Sequence, residues 1–298
     1  IVTVGTVAFD DITTPFGTRT AILGGSATHF SMAARFRAAT RIIAPIGTDF
    51  PQKYLDFLSR RGIDTSGVLR MEGKSFYWKG RYNEECADAV TLHTRLGVLA
   101  GFTPVLTRAQ RAAPYVFLAN IDPAVQMRLL RDLDRPRIVG SDTMNFWIAR
   151  SRSLIVKTLR KVDVLFINES EVKQLAQERM FLTALRAVKR MGMKVLIVKR
   201  GEHGVVLATD TMLAAAPAYP LERVVDPTGA GDAFAGAFMS CLARPGRVSA
   251  RSLTAAVLYA CVVASFIVED FGCARLDRIV RRDIDRRLRL LKNMLISY

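Results

Sequence analysis

The stretch VVDPTGAGDAFAGAFM, Val224 to Met239, decides how this chain is read. Gly229 and Gly231 flank Ala230, and Asp232 leads directly into an apolar helical run. A helix start offers free N–H groups and the positive end of the helix dipole, so it attracts anions. A carboxylate there would repel a phosphate, unless the chemistry needs a base beside an anion. Donors would then hold the anion's oxygens while the carboxylate takes a proton from a neighbouring group. Small residues at 229–231 let backbone N–H groups close on the phosphate without a Cβ in the way.

Two other phosphate motifs fail on inspection. Gly73, Lys74 and Ser75 resemble the end of a P-loop, but that loop needs glycine at position 68, which is Val68. The following FYWKGRY is strand-like, whereas a P-loop lysine opens a helix. GAGDAF is not a dinucleotide fingerprint, because Phe234 stands where the third glycine belongs and the motif lies late in the chain.

With 298 residues, half of them hydrophobic, the chain can bury one large α/β core or two smaller ones. Its longest apolar run, Ala255 to Val268, is shorter than a membrane span and reads as a buried helix. No secretory signal is visible, and the four cysteines show no CxxC spacing, so reduced thiols in a cytoplasmic protein are expected, without disulfides or zinc. The net charge is +16, and its densest basic stretch is Arg275 to Leu295, a helical pattern that mixes basic residues with three aspartates. It reads as a solvated basic face. Nucleic-acid binding is the rival reading, and nothing resembles a zinc finger or an RNA-binding aromatic signature.

Along the chain, IVTVGTVAFDD is a buried strand ending in acids, GGSATHFSMAARF a glycine turn into a helix, and TRIIAPIGTDF another strand. Gly62 closes a helix that begins near Phe50. The aromatic, β-branched stretch from Ser75 to Leu99 predicts two or more antiparallel strands. From Pro114 onward strands and helices alternate, which predicts a mostly parallel sheet covered on both faces. Ligands in such sheets gather at the carboxyl ends of the strands, where these acids and glycines lie.

Residues 224–239 closely resemble the C-terminal signature of the ribokinase-like carbohydrate kinases, the phosphofructokinase B type. GGSATHFSMAA (24–34) is similar to that family's substrate segment, and residues 47–68 to the block that follows it. NESE (168–171) resembles its Asn-x-x-Glu motif, and VKRGEHG (198–204) its nucleotide-binding strand and loop. The matches keep the family's order over roughly positions 1–272. The resemblance implies a single domain over 1–298, a three-layer α/β/α fold with a mostly parallel central sheet, and a small β-sheet lid from segments near 11–22 and 74–98. It also implies an ATP-dependent phosphotransferase acting on a hydroxyl of a sugar, with a nucleoside as the alternative acceptor.

The resemblance further assigns roles. Asp232 is the general base and Gly229, Ala230, Gly231 and Asp232 form the anion hole, with the helix dipole holding Asp232 ionised. Asn168 and Glu171 serve Mg²⁺ through water; as residues alone they could equally be a helix cap with an acidic first turn. Lys199, Arg200, Gly201 and Gly204 serve the nucleotide, a bare hairpin turn being the other reading. Asp226 lies near a monovalent-cation (K⁺) site in relatives. Asp10, Gly24 and Gly25 face the substrate, as does His29, which stands where the family usually has Asn. Asp49 is read as structural or at the pocket edge, and Asp142 and Asn145 as strand-end residues facing the phosphate. Phe76, Tyr77, Trp78 and Tyr82 fall in the lid; one face could stack on a nucleobase, while lid core or a homodimer interface is preferred. The rival from another class is a basic nucleic-acid-binding protein on a retired kinase scaffold.

Overall fold

The computed structural model describes residues 1–86, 89–244 and 246–295. In chain order its strands begin as β1 (Val2–Val4), β2 (Ala8–Thr14), β3 (Gly17–Gly24), β4 (Thr40–Gly47), β5 (Ile63–Met71), β6 (Tyr77–Tyr82) and β7 (Ala89–Arg95). They continue as β8 (Tyr115–Leu118), β9 (Ile138–Asp142), β10 (Val164–Asn168), β11 (Val195–Lys199), β12 (Val205–Ala208) and β13 (Leu213–Ala216). The first helices are α1 (Ser26–Ala34), α2 (Gln52–Arg60), α3 (Arg108–Arg111), α4 (Pro123–Asp132), α5 (Asn145–Leu159) and α6 (Glu169–Ala176). After them come α7 (Phe181–Lys189), α8 (Ala230–Leu242), α9 (Ala250–Ile267), α10 (Ala274–Arg278) and α11 (Arg281–Met294).

Among the described residues the large sheet has nine strands, ordered β13-β12-β11-β10-β9-β8-β1-β4-β5. From β11 to β5 every pairing is parallel; β12 is antiparallel to both of its neighbours. Continuous apolar runs make these strands because the pleat sends alternate residues to two covered faces. Val195 and Ile197 of β11 join the core under α1, α8, α9 and α11, while Leu196 and Val198 join the core under α4 to α7. The three-layer architecture expected from the alternation is therefore present. Strand order reverses at β1, which has β4 on one side and β8 on the other, and a crevice opens outside the strand ends at such a reversal.

The sequence reading left out several elements. β5 lies at the sheet's edge and lacks clean alternation, α7 falls between α6 and β11, and β12 and β13 fall between β11 and α8. The apolar run at 255–268 belongs to the longer helix α9, whose 18 residues are long and apolar enough to cross a membrane. In the fold 67% of it is buried, as a core helix.

A second, four-stranded sheet is ordered β3-β2-β6-β7, where the sequence reading expects the lid. Its segments near 11–22 and 74–98 form strands as anticipated, except that Ala87 and Asp88 lie outside the described residues. Tyr77 donates its hydroxyl to Asp11 Oδ2 (2.7 Å), and Trp78 packs across Gly80 and donates to Thr91 Oγ1 (3.2 Å). These contacts make both rings part of the lid's own packing. The basic C-terminal pattern, expected as one helix, forms two, α10 and α11, separated by extended Ile279 and Val280, and α11 docks through buried Ile284 and Leu291. There Arg287 stacks on Phe266 and donates to Glu269.

Helices α1 and α8 cross closely on one face of the sheet. A Cβ at Gly236 would overlap the Phe30 carbonyl, so only glycine permits the approach. The Phe30 ring stacks on Phe117 of β8 with centroids 4.2 Å apart, anchoring the crossing to the sheet.

Candidate active site

The turn into α8 is built around Gly229, which caps the helix at φ 76°. Its neighbours close the turn: Ala230 N donates to the Pro227 carbonyl (3.2 Å), and Ala233 N to the Gly229 carbonyl (2.8 Å). No hydrogen bond within the fold engages the N–H groups of Gly229, Gly231 or Asp232 among the described residues. Of the four N–H groups in the expected anion hole, that of Ala230 is used in the turn. Gly229 also lies against the His29 ring, where a Cβ would collide. With both its φ and its space unsuited to a side chain, Gly229→Ala is expected to cost about 1–3 kcal/mol of stability. Any product formation should fall with it. Thermal melting and an ADP-release assay check both.

Asp232 follows in the first turn of α8. Burial and the neighbouring Asp142 carboxylate raise its pKa to about 6, while His29 and Lys199 pull the other way. Asp232 is therefore a stronger base than an exposed aspartate while still largely ionised at pH 7.

Three strand ends meet beside it. Lys199, at the end of β11, donates to Asp142 Oδ2 at the end of β9 (2.8 Å). Its ammonium reaches the anion turn as well, since a Cβ at Gly231 would lie 2.8 Å from Nζ. Burial acts to lower the Lys199 pKa, but Asp142, Glu171 and Asp232 together raise it. Glu171, on α6, is pushed up to about 7 by burial, with Asp142 adding to the rise and Lys199 opposing it. Asp142 is expected from the sequence to face the phosphate; its pairing with Lys199 bridges 57 positions and has no local signature.

Asn168 and Glu171 form a reciprocal cap on α6. Asn168 Oδ1 accepts from Glu171 N (2.7 Å), and Glu171 Oε2 accepts from Asn168 N (3.0 Å). The helix-cap reading is thus realised. Glu171 additionally faces the Lys199 cluster. No group of three or more His, Cys, Asp or Glu side chains suited to a metal occurs among the described residues. The donor set fits an ion that draws most of its ligands from phosphate and water, as Mg²⁺ does, with Glu171 at its edge.

Arg200 is engaged elsewhere, donating to Glu169 Oε2 (2.6 Å) and lying over the Phe181 ring. Gly201 and Gly204 shape the hairpin between β11 and β12, where Arg200 N donates to the Gly204 carbonyl (2.8 Å). Of the expected nucleotide residues, the structure brings Lys199 alone to the buried cluster. Asp226 is fully buried. Its two oxygens accept from Thr228 N (2.9 Å) and Gly272 N (3.0 Å), tying the anion turn to the loop before α10.

On the acceptor side, Asp10 of β2 is buried beside Gly24, where any Cβ would overlap its carboxylate. Gly25 caps α1, and His29 sits one turn in. His29 Nε2 lies 3.9 Å from Asp10 Oδ2, and Nδ1 lies 3.4 Å from the Cys273 sulfur. Burial would push the His29 pKa down, but Cys273 and Asp10 raise it well above the ordinary histidine range. From the lid, Tyr82 shares a hydrogen bond with Thr228 (3.0 Å), and burial raises its pKa. Asp49 accepts from the Ser75 amide (2.8 Å) and hydroxyl (2.7 Å), so it and the discarded Gly73–Ser75 motif form one structural clamp. Neither Cys273 nor the Tyr82 contact was marked in the sequence as part of the site.

The family model of the pfkB family carbohydrate kinases matches residues 7–278. This chain belongs to that family. It is 31% identical over 250 residues to a cytidine kinase of Thermococcus kodakarensis, covering 82% of this chain and 88% of the relative. Its fold matches the nucleoside kinase of Methanocaldococcus jannaschii, an archaeal member of the ribokinase family, with a TM-score of 0.78 and 20% identity. That likeness covers 97% of this chain and 98% of the other. A putative ribokinase II of E. coli in complex with ATP and Mg²⁺ also has a TM-score of 0.78, at 17% identity over 97% and 98% of the two chains. The pfkB-family chain therefore has the ribokinase-like α/β fold with its small second sheet, and it is a kinase of this family.

Proposed function

We propose that the chain is an ATP-dependent nucleoside kinase that phosphorylates the hydroxymethyl group of its acceptor. The observation that carries the reaction type is the meeting of Asp232, three unengaged N–H groups and Lys199 at the start of α8. The sequence alone put a sugar first and a nucleoside second. The likeness to a cytidine kinase and a nucleoside kinase supports the reverse order.

In this reading the acceptor lies between Asp10, His29 and the Gly24–Gly25 turn, with its hydroxymethyl oxygen toward Asp232. Asp232 takes the hydroxyl proton as that oxygen bonds to the γ-phosphorus and the bond to ADP breaks. The N–H groups of Gly229, Gly231 and Asp232, with the Lys199 ammonium, hold the charge spread over the transferring phosphoryl oxygens. Mg²⁺ carried by the nucleotide would neutralise phosphate charge, and Glu171 is the side chain suited to hold its water shell. The lid, latched through Tyr82 to Thr228, excludes water that would otherwise accept the phosphoryl group.

A panel of nucleosides, pentoses and hexoses, read by ADP release, tests the assignment. At least one ribonucleoside is expected to exceed free ribose and fructose in kcat/KM by tenfold or more. A preference for a free sugar returns the sugar reading, and no ADP release on any acceptor removes the kinase reading.

A further inference from the structure

Among the described residues named for the acceptor pocket, His29 has a ring polar atom left over. The residue is 2% exposed, and its Nε2 is buried without a hydrogen-bond partner. A buried nitrogen in that condition is costly unless something completes it. The Asp10 carboxylate faces it at 3.9 Å, too far for a direct bond. A hydroxyl oxygen about 2.8 Å from each atom spans that gap, accepting from Nε2–H while donating to the carboxylate. This arrangement works only when Nε2 carries the hydrogen. With a bare Nε2, two acceptors would face one another.

The other ring nitrogen decides which tautomer is present. Nδ1 is in contact with the Cys273 sulfur at 3.4 Å, and Cys273 is itself buried at 7% exposure. Its place is fixed by the preceding Gly272, whose N–H donates to Asp226 Oδ2 (3.0 Å). A thiol donating to Nδ1 leaves a neutral ring with its hydrogen on Nε2. Transfer of that proton leaves an imidazolium, again with hydrogen on Nε2. Either distribution of the proton presents a donor toward Asp10.

We propose that Cys273 is a positioning residue. Its thiol holds Nδ1 of His29 so that Nε2–H and the Asp10 carboxylate together grip one hydroxyl of the acceptor. This deepens the kinase reading above and rests on it for the identity of the occupant. The contact joins residues 244 positions apart, one on α1 and one beside α10, so it depends on the tertiary fold.

The test compares wild type with Cys273→Ala, Cys273→Ser, His29→Asn and the His29→Asn/Cys273→Ala double variant. Cys273→Ala is expected to raise the acceptor KM about tenfold, the size of one lost hydrogen bond, with the ATP KM within about twofold. Serine removes the same sulfur but keeps a donor, and should recover at least about threefold of that loss. In the His29→Asn background, Cys273→Ala should add less than about twofold, because the partner it positions is gone. An unchanged acceptor KM, equal losses for Ala and Ser, or full additivity in the double variant overturns the proposal.

A second readout needs no turnover. The chain has three histidines, so ¹⁵N–¹H spectra of the imidazoles can be assigned by single substitutions. His29 in wild type should show a protonated Nε2, and Cys273→Ala should shift its Nδ1 resonance. A ring protonated only on Nδ1, or a spectrum indifferent to Cys273, refutes the idea even if no acceptor is found. Inactivity with the expected spectrum would fault the kinase reading and leave the contact standing.

Discussion

Asp232→Asn is expected to lower kcat by about 10²–10⁴-fold, the usual worth of a positioned general base, while the KM for ATP stays within about threefold. The amide keeps the shape and the neighbouring N–H groups but cannot accept the proton. The wild-type pH profile should carry the same signature. With the Asp232 pKa raised to about 6, kcat/KM should fall as pH drops through that value, approaching tenfold per unit below it. In the variant that limb should vanish. The sign for stability is opposite. A carboxyl whose pKa is higher folded than unfolded binds more protons in the native state, so folding weakens as pH rises through the window between the two values. Asp232→Asn should therefore melt at a higher temperature than wild type at pH 7, and an unchanged turnover would remove the base from the mechanism.

The second large effect is expected at Lys199. Its ammonium is hydrogen-bonded to Asp142 and lies among the charges of Glu171 and Asp232 beside the anion turn. Lys199→Met removes the cation and leaves a buried carboxylate unpaired, a loss of about 3–5 kcal/mol for a buried pair of this kind. Turnover should fall by about 10²–10³-fold, the scale of one lost oxyanion donor. The Lys199→Met/Asp142→Asn double variant separates the two roles. It should regain much of the melting temperature, because the orphaned charge is gone, yet stay as slow as Lys199→Met. Recovery of turnover in the double variant would mean that Lys199 serves the fold alone.

How far these residues could be read from the sequence depended on whether their neighbours were local. Asp232, Gly229 and Gly231 lie within one helix turn, so their relation is written in their spacing. The strands at 115–118, 164–168 and 195–199 announced themselves because both of their faces are buried. β5 did not, because an edge strand with half-exposed residues has no apolar run to betray it. Cys273, and the partner of Asp142, were illegible for a different reason. An acid at a strand end and a cysteine before a short helix are ordinary locally, and only folding brings them to Lys199 and His29. The pairing of Arg200 with Glu169 on α6 was likewise not written in its local sequence.

The contact of Gly236 with the Phe30 backbone has a consequence for how such a frame diversifies. His29 and Asp232 ride on two rods pinned at one point, so the span between acceptor grip and reacting oxygen is a built-in ruler rather than something each guest must create. Changes of clientele are then cheapest in the overhanging sheet, where β7 is exposed along its whole length and carries none of the pinned parts.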